Sequence, residues 1–209
     1  ERWEKATGGL LVEGYGMTES SPITVGNPMS TKRRAGSIGI PFPDTDIRVV
    51  DKDDPSRLFP AGEPGELLVQ GPQVFPGYWD NEQATEDAFH QGWLRTGDVV
   101  VQDEDGFLHV VDRIKEMIVT GGFNVYPSEV EAVLREAPGV ADCAVVGRRA
   151  ADGSEQVVAA VVPEPGTSVD ADALRAHCKA SLAGYKVPRE YVEVDELPVN
   201  AMGKVQRKQ

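Results

Sequence analysis

Residues 112–129, DRIKEMIVTGGFNVYPSE, divide this chain into two stretches that follow different patterns. Just before them, DVVVQDEDGFLHVVD reads as two strands around a turn at Asp105-Gly106. Just after them, Pro127 suits a first helical turn, Ser128 stands beside it, and Glu129 is placed for the positive end of a helix dipole. In between lie Arg113 and Lys115, a short apolar run from Met117 to Val119, and the pair Gly121-Gly122. Glycine has no Cβ, so a ligand or another chain can approach its backbone closely. Cations followed by an open glycine backbone suit an anionic ligand. A solvated linker between two subdomains accounts for the same residues, and spacing alone leaves both readings open.

The stretch before this divider is rich in strands. IRVVD and ELLVQG are separated by the turn-forming DKDDPSRLFPAGEPG, a pattern that predicts a small antiparallel barrel or sandwich. NEQATEDAF predicts a helix capped by Asn81. Residues 22–46 read as loop, with Pro22, Pro28, Pro41, Pro43 and a solvated basic trio, Lys32 to Arg34. Residues 1–13 read as a helix end, a glycine break and a short strand, Leu10 to Val12. So short a strand has no sheet of its own, so the chain is expected to be cut from something longer. Beyond the divider the pattern is α+β. Apolar residues at 130, 133, 134 and 137 predict a helix. VADCAVVG and EQVVAAVVP predict strands joined by a turn near Asp152-Gly153, residues 170–182 a second helix, and residues 191–196 a further strand. The fold class expected is α+β: residues 1–35 as the tail of a larger domain, 36–112 as a barrel-like subdomain, and 113–209 as a mobile α+β domain.

A net charge of −13 and a pI near 4.7 oppose nonspecific binding to nucleic acid or to an anionic membrane. They leave room for a nucleotide held by a few local cations. No apolar run approaches a membrane span of roughly 20 residues. Cys143 and Cys178 fall in an apolar run and a helical pattern, as core or surface thiols do, and the compartment expected is reducing and cytoplasmic.

Three further places suit nucleotide chemistry, and each has an ordinary explanation as well. In GYGMTESS, the Tyr15 ring between Gly14 and Gly16 can stack on a base, Thr18 can bond phosphate, and Glu19 can hold Mg²⁺. A polar turn explains the same residues. Asp98, after a glycine turn, can accept the hydroxyls of a ribose or simply close that turn. Lys204 is the cation of a Pro- and Gly-framed loop, and such a lysine is often only solvated. The chain has no Walker phosphate loop, because Gly203-Lys204 is followed by Val205, and it has no G-x-G-x-x-G.

GYGMTE, WLRTGD, DRIKEMIVTGGFNVYPSEVE and LPVNAMGK occur in that order, with GPQVFPGYWDNEQAT, PGVADCAVVG and GYKVP around them. In this the chain resembles the later part of the adenylate-forming superfamily: acyl- and aryl-CoA synthetases, luciferases and peptide-synthetase adenylation domains. It looks most like bacterial long-chain fatty acid–CoA ligases. The resemblance implies ATP or AMP, Mg²⁺ and coenzyme A, with a fatty acid or other carboxylic acid as substrate. It implies that Tyr15 stacks on adenine within a nucleotide site that includes Gly16. Thr18 would touch phosphate, Glu19 would hold Mg²⁺, Asp98 would bind the ribose, and Arg113 would contact the nucleotide. Lys115 would be the hinge, Gly121 and Gly122 would line the pantetheine path, and Lys204 would bridge carboxylate and α-phosphate. The family's Ser/Thr/Gly-rich phosphate loop, TSGTTGxPKG, does not occur in these 209 residues, so the chain alone is expected to be inactive. Surface exposed by truncation would seek a partner, a second copy included, and membrane association would be peripheral at most. Another CoA synthetase, an adenylation domain or a non-catalytic binding module is the alternative.

Overall fold

The computed structural model describes residues 2–150, 153–201, 203 and 205–207. Two compact units divide the chain, Glu1–Ile114 and Lys115–Gln209.

The first unit opens with α1 (Arg2–Thr7). Three very short strands follow, β1 (Gly14–Tyr15), β2 (Val25–Gly26) and β3 (Ile40–Pro41), paired antiparallel in that order. Residues 22–46, expected to be loop throughout, therefore contain two strands. Leu10 to Val12 is not a strand. Leu10 and Leu11 are 42% and 53% exposed, and the Leu11 N–H bonds the Glu4 side chain rather than a neighbouring strand. A strand needs a partner ladder, and β1 finds one three residues later against β2. The glycine between β1 and the next turn is forced: a Cβ on Gly16 would stand 1.6 Å from the Pro22 carbonyl oxygen.

The larger sheet of this unit contains β4 (Asp46–Val50), β5 (Gly65–Gln70), β6 (Phe89–His90), β7 (Trp93–Gln102) and β8 (Leu108–Arg113). β4, β5 and β7 lie side by side, and β6 and β8 both pair with β7. The strands are antiparallel, as IRVVD and ELLVQG predict, and the sheet curls into a half-barrel. Between β5 and β6, α2 (Glu82–Ala88) starts where Asn81 accepts the Ala84 N–H, the predicted cap. The β7–β8 turn is closed by Asp103, whose carboxylate accepts the N–H groups of Asp105 and Phe107. Val25, Val49, Leu67, Val69, Val100 and Leu108 form the core. Fully burying each such side chain contributes about 1.5–3 kcal/mol. The basic trio is not wholly solvated, because Arg33 pairs with Glu4 and Arg34 with Asp103 and Asp105.

The second unit begins with a hairpin, β9 (Ile118–Thr120) and β10 (Phe123–Val125). Neither the anion-binding nor the linker reading of Met117 to Gly122 includes this hairpin. α3 (Pro127–Arg135) follows, with Pro127 in its first turn. β11 (Val140–Arg149) and β12 (Glu155–Pro163) are antiparallel. The turn predicted between them includes Asp152, which lies outside the described residues. α4 (Ala171–Ser181) is capped by Asp170, and β13 (Glu190–Glu193) returns parallel to β12. Val130, Leu134 and Ala137 pack on Cys143, Val145, Val157, Ala159 and Val161, with Leu174 and Cys178 from α4. Of the predicted positions, Val130 and Leu134 are thus the face that meets the sheet, Val133 packs partly buried beside them, and Ala137 lies just beyond the end of α3. Both cysteines are free and buried. No helix among the described residues is long and apolar enough to cross a membrane.

Candidate active site

Asp98 is presented by an irregularity in β7. Glu66 of β5 pairs with Val99, and Leu68 pairs with Arg95. Leu67 therefore spans the same length as Thr96, Gly97 and Asp98 together. A bulge of this kind bends its strand and re-aims its side chains. Gly97 supplies the left-handed backbone the bend requires, with φ +70°. Side chains fill the irregularity. The Thr96 hydroxyl donates to the Leu67 carbonyl at 2.8 Å and accepts the Asp98 N–H at 3.1 Å. The Glu66 carboxylate, 1% exposed, accepts Arg95 Nη2 at 2.6 Å and the Gly97 N–H at 3.3 Å. Arg95 also donates to the Lys52 carbonyl.

Asp98 itself is only 6% exposed. The Tyr15 hydroxyl donates to its Oδ2 at 2.5 Å, and Arg113 Nε lies 3.0 Å from its Oδ1. Arg113 is the residue opposite Asp98 on β8. Tyr15, Asp98 and Arg113, far apart in sequence, are thus one bonded set. Burial, and then the adjacent Asp98 carboxylate, push the Tyr15 phenol well above its ordinary range, so it stays a hydroxyl donor. A carboxylate that already accepts one hydroxyl, beside an aromatic ring and a cation, has the donor and acceptor set a nucleoside needs.

Glu19 is bonded elsewhere. The Tyr78 hydroxyl donates to its Oε1 at 2.7 Å, and this bond raises the Tyr78 phenol's pKa. Thr18 is exposed at the start of a single 3₁₀ turn, Thr18–Ser20. Among the described residues no group of three His, Cys, Asp or Glu stands ready to hold a metal. Glu19 as a lone carboxylate nevertheless fits Mg²⁺, which keeps waters and substrate phosphates as its other ligands. Two concavities of this unit are lined by Glu4, Glu13, Arg33 and Arg34, and by Tyr78, Asn81 and Glu86; neither of these includes Tyr15, Asp98 or Arg113.

In the second unit, Gly121 and Gly122 form the two-residue turn of the β9–β10 hairpin, with φ +58° and +82°. Such a turn demands positive φ at both places, a requirement that explains both glycines without a ligand. A Cβ added to either would touch nothing within 4 Å, so their backbone also stands open. Beside them Phe123 stacks on Tyr185 with ring centroids 4.6 Å apart, and Phe123 remains 55% exposed. Neither aromatic was singled out from sequence, although GYKVP contains Tyr185 and GGFNV contains Phe123. Lys115 is exposed in the 3₁₀ turn Ile114–Glu116, at the division between the units. Lys204 lies outside the described residues. After it, Arg207 pairs with Glu116 and donates to Glu131 at 2.9 and 3.1 Å.

The same architecture occurs in solved structures that hold ATP or AMP. ATP-bound MatB from Rhodopseudomonas palustris superposes with a TM-score of 0.88 at 38% identity, over 98% of this chain and 40% of that one. The AMP complex of o-succinylbenzoate coenzyme A synthetase from Bacillus subtilis gives 0.80 at 35% identity, over 99% of this chain and 42% of that one. Residues 1–79 match the model of the AMP-binding enzyme family, and residues 129–204 that of the AMP-binding enzyme C-terminal domain. The long-chain-fatty-acid–CoA ligase of Escherichia coli O6:H1 is 46% identical over the whole chain. The ligase of the same name from Bacillus subtilis is 42% identical over 208 residues, and the feruloyl-CoA synthase of Amycolatopsis is 43% identical over 196. The chain belongs to the AMP-binding enzyme family, the adenylate-forming superfamily. It spans about 37% of the length of the two ligases.

Proposed function

We propose that this chain supplies the nucleotide-ribose site and the C-terminal domain of an AMP-forming acyl-CoA synthetase acting on long-chain fatty acids. The observation that carries the reading is the Tyr15–Asp98–Arg113 set, found in a chain whose relatives are named CoA ligases. In the first half-reaction a carboxylate oxygen attacks the α-phosphorus of ATP and pyrophosphate leaves, giving an acyl-adenylate. In the second, the thiol of CoA loses its proton and attacks the acyl carbon, and AMP leaves. Asp98 accepts the ribose hydroxyls, the Tyr15 ring stacks on adenine, Arg113 contacts the nucleotide, and Thr18 bonds a phosphate oxygen. Glu19 would hold Mg²⁺, which would supply charge neutralisation to the phosphates when bound. Lys204 neutralises the charge that develops between carboxylate and α-phosphate, a task confined to the first half. Lys115 is the hinge at which backbone rotation is absorbed. Gly121 and Gly122 admit the pantetheine arm, and the exposed Phe123–Tyr185 stack offers CoA a flat apolar face.

The test is to assay the two half-reactions separately in the full-length enzyme. Lys204→Ala is expected to slow ATP–pyrophosphate exchange about 10²–10³-fold, roughly 3–4 kcal/mol, by analogy with losing one preorganised charge-stabilising donor. Thioester formation from supplied acyl-adenylate should stay close to wild type. Equal slowing of both halves would refute the assignment. A panel of octanoate, palmitate and ferulate decides the acid, since the feruloyl-CoA synthase relative favours an aryl substrate as the second reading. The 209-residue chain alone is expected to give no exchange with any of them.

A further inference from the structure

We propose that Glu66 is a positioning residue for the nucleotide site: its buried carboxylate sets the shape of the bulge from which Asp98 is presented to the ribose. The proposal rests on the reading of Asp98 given above.

Glu66 is out of place by composition. It stands in Gly65–Gln70, where residues 65–69 are all buried and the others are Gly, Leu and Val. A carboxylate taken out of water there is costly unless it is paired and hydrogen-bonded. Its partners are all on the bulge or beside it. Arg95, the last residue paired before the bulge, gives Nε contacts of 3.1 and 3.2 Å and an Nη2 contact of 2.6 Å. Gly97, inside the bulge, gives its N–H. The next pair in the ladder is Glu66 with Val99, immediately after Asp98. One side chain thus grips the bulge near its start and at its middle, while its own backbone sits opposite its end. The Thr96 hydroxyl supplies a further tie, joining the Leu67 carbonyl to the Asp98 N–H. A sheet that needed only stability is better served by an apolar residue at this position, because replacing a buried ion pair by packed hydrophobic residues is often neutral or favourable. A charged clamp makes sense where the irregular backbone itself has to be held.

Glu66 touches no substrate, so its effect should appear as ribose recognition rather than as a general loss. The experiment uses the full-length enzyme and compares kcat/KM for ATP with that for 2′,3′-dideoxy-ATP in pyrophosphate exchange, with the acid turned over fastest in the panel. Glu66→Gln keeps the shape and removes the charge. It is expected to lower the ATP preference about tenfold, in keeping with the sensitivity of bound geometry to small displacements. KM for the acid should stay within about twofold of wild type on the same grounds. Thr96→Val is expected to move the preference in the same direction. It decides the matter alone if Glu66→Gln does not fold by circular dichroism. Folded variants that lose activity or stability while keeping the wild-type ATP preference overturn the proposal and leave Glu66 a structural residue. Asp98→Asn is the control for the reading beneath it. If that variant keeps the preference, Asp98 does not read the ribose, and both fail together. If it loses the preference and Glu66→Gln and Thr96→Val keep it, only the positioning proposal fails.

Discussion

Each unit buries a carboxylate against arginine, but the two do different work. In the first, Glu66 lies inside a sheet and its partners are the residues of one bulge. In the second, Glu131 is 3% exposed on α3 and joins elements that sequence separates. It accepts the Val145 N–H of β11 at 2.9 Å, Arg135 one turn along the helix, and Arg207 near the end of the chain. The first shapes a strand locally; the second ties a helix to a sheet and to a distant segment. Two of the glycine sites contrast as well. Gly16 of the first unit is fixed by contact, with the Pro22 carbonyl lying where a Cβ would be. Gly121 and Gly122 of the second are fixed by φ alone, with open space around them. One residue type thus answers two physical demands, and substitution separates them.

The largest expected effect is at Glu131. Glu131→Ala removes the acceptor of the buried Val145 N–H and one of the two carboxylates that hold Arg207, Glu116 remaining, so the cost has about 3–5 kcal/mol, that of a broken buried pair, as its upper bound. Urea unfolding should show the loss. Glu131→Gln, which keeps the Val145 bond, should recover part of it. An alanine variant within about 0.5 kcal/mol of wild type, the range of an ordinary surface change, would mean that Glu131 ties nothing together.

The glycines come next. Gly16→Ala forces a methyl group into a backbone carbonyl, and overpacking of this kind costs about 1–3 kcal/mol or more. Gly122→Ala meets no atom but must hold a left-handed backbone, at about 1–2 kcal/mol. Gly121→Asn should be nearly silent, because asparagine tolerates that conformation in two-residue hairpin turns. Thermal melts of the three variants rank them. If Gly122→Ala cost as much as Gly16→Ala, the turn would be packed against something, and the distinction between contact and φ would collapse.

What could be read without coordinates follows from the same contrast. Where burial imposes a period, the chain announced itself: Val130 and Leu134 form the core face of α3 with Val133 at its edge, Ala137 joins the same core just past the helix end, and Asn81 caps α2 as its place before the helix implies. The β9–β10 hairpin was missed although Gly-Gly between Thr120 and Phe123 is a hairpin signal, because Arg113 and Lys115 nearby drew the stretch towards an anion-binding reading. Leu10 to Val12 was misplaced because apolar content alone does not pair a strand. Of the site, Tyr15 and Asp98 stand out by residue chemistry and Arg113 as a nearby cation, with roles given by the family resemblance, but nothing in spacing says that they share hydrogen bonds. Glu66 and Thr96 left no pattern at all, since a bulge is a mismatch between two strands and no single stretch of sequence contains it.

The smallest effect is a pH response that only the second unit has through thiols. Both cysteines, Cys143 and Cys178, belong to it, and both are buried. Burial disfavours the thiolate and pushes Cys143 from 9.0 up to about 12; Cys178 is raised for the same reason. Because the folded value is raised, the folded state holds a proton that the unfolded chain gives up. The stabilisation is therefore complete below the unfolded value and is lost as pH rises from about 8.5 towards 12. A single thiol should contribute a loss of about 1 kcal/mol at pH 9.5, and nothing at pH 7. The first unit answers later, since its raised phenols, Tyr15 and Tyr78, start from 10.0. Urea midpoints at pH 7.0 and 9.5 measure the difference, and Cys143→Ala should flatten it after allowance for the small cavity. Labelling with a thiol reagent at pH 8 gives the kinetic counterpart: both cysteines should react only as fast as the second unit opens. Rapid labelling of Cys143 in the folded chain would show that its thiol is accessible, and the pH response would then have to be sought in another group.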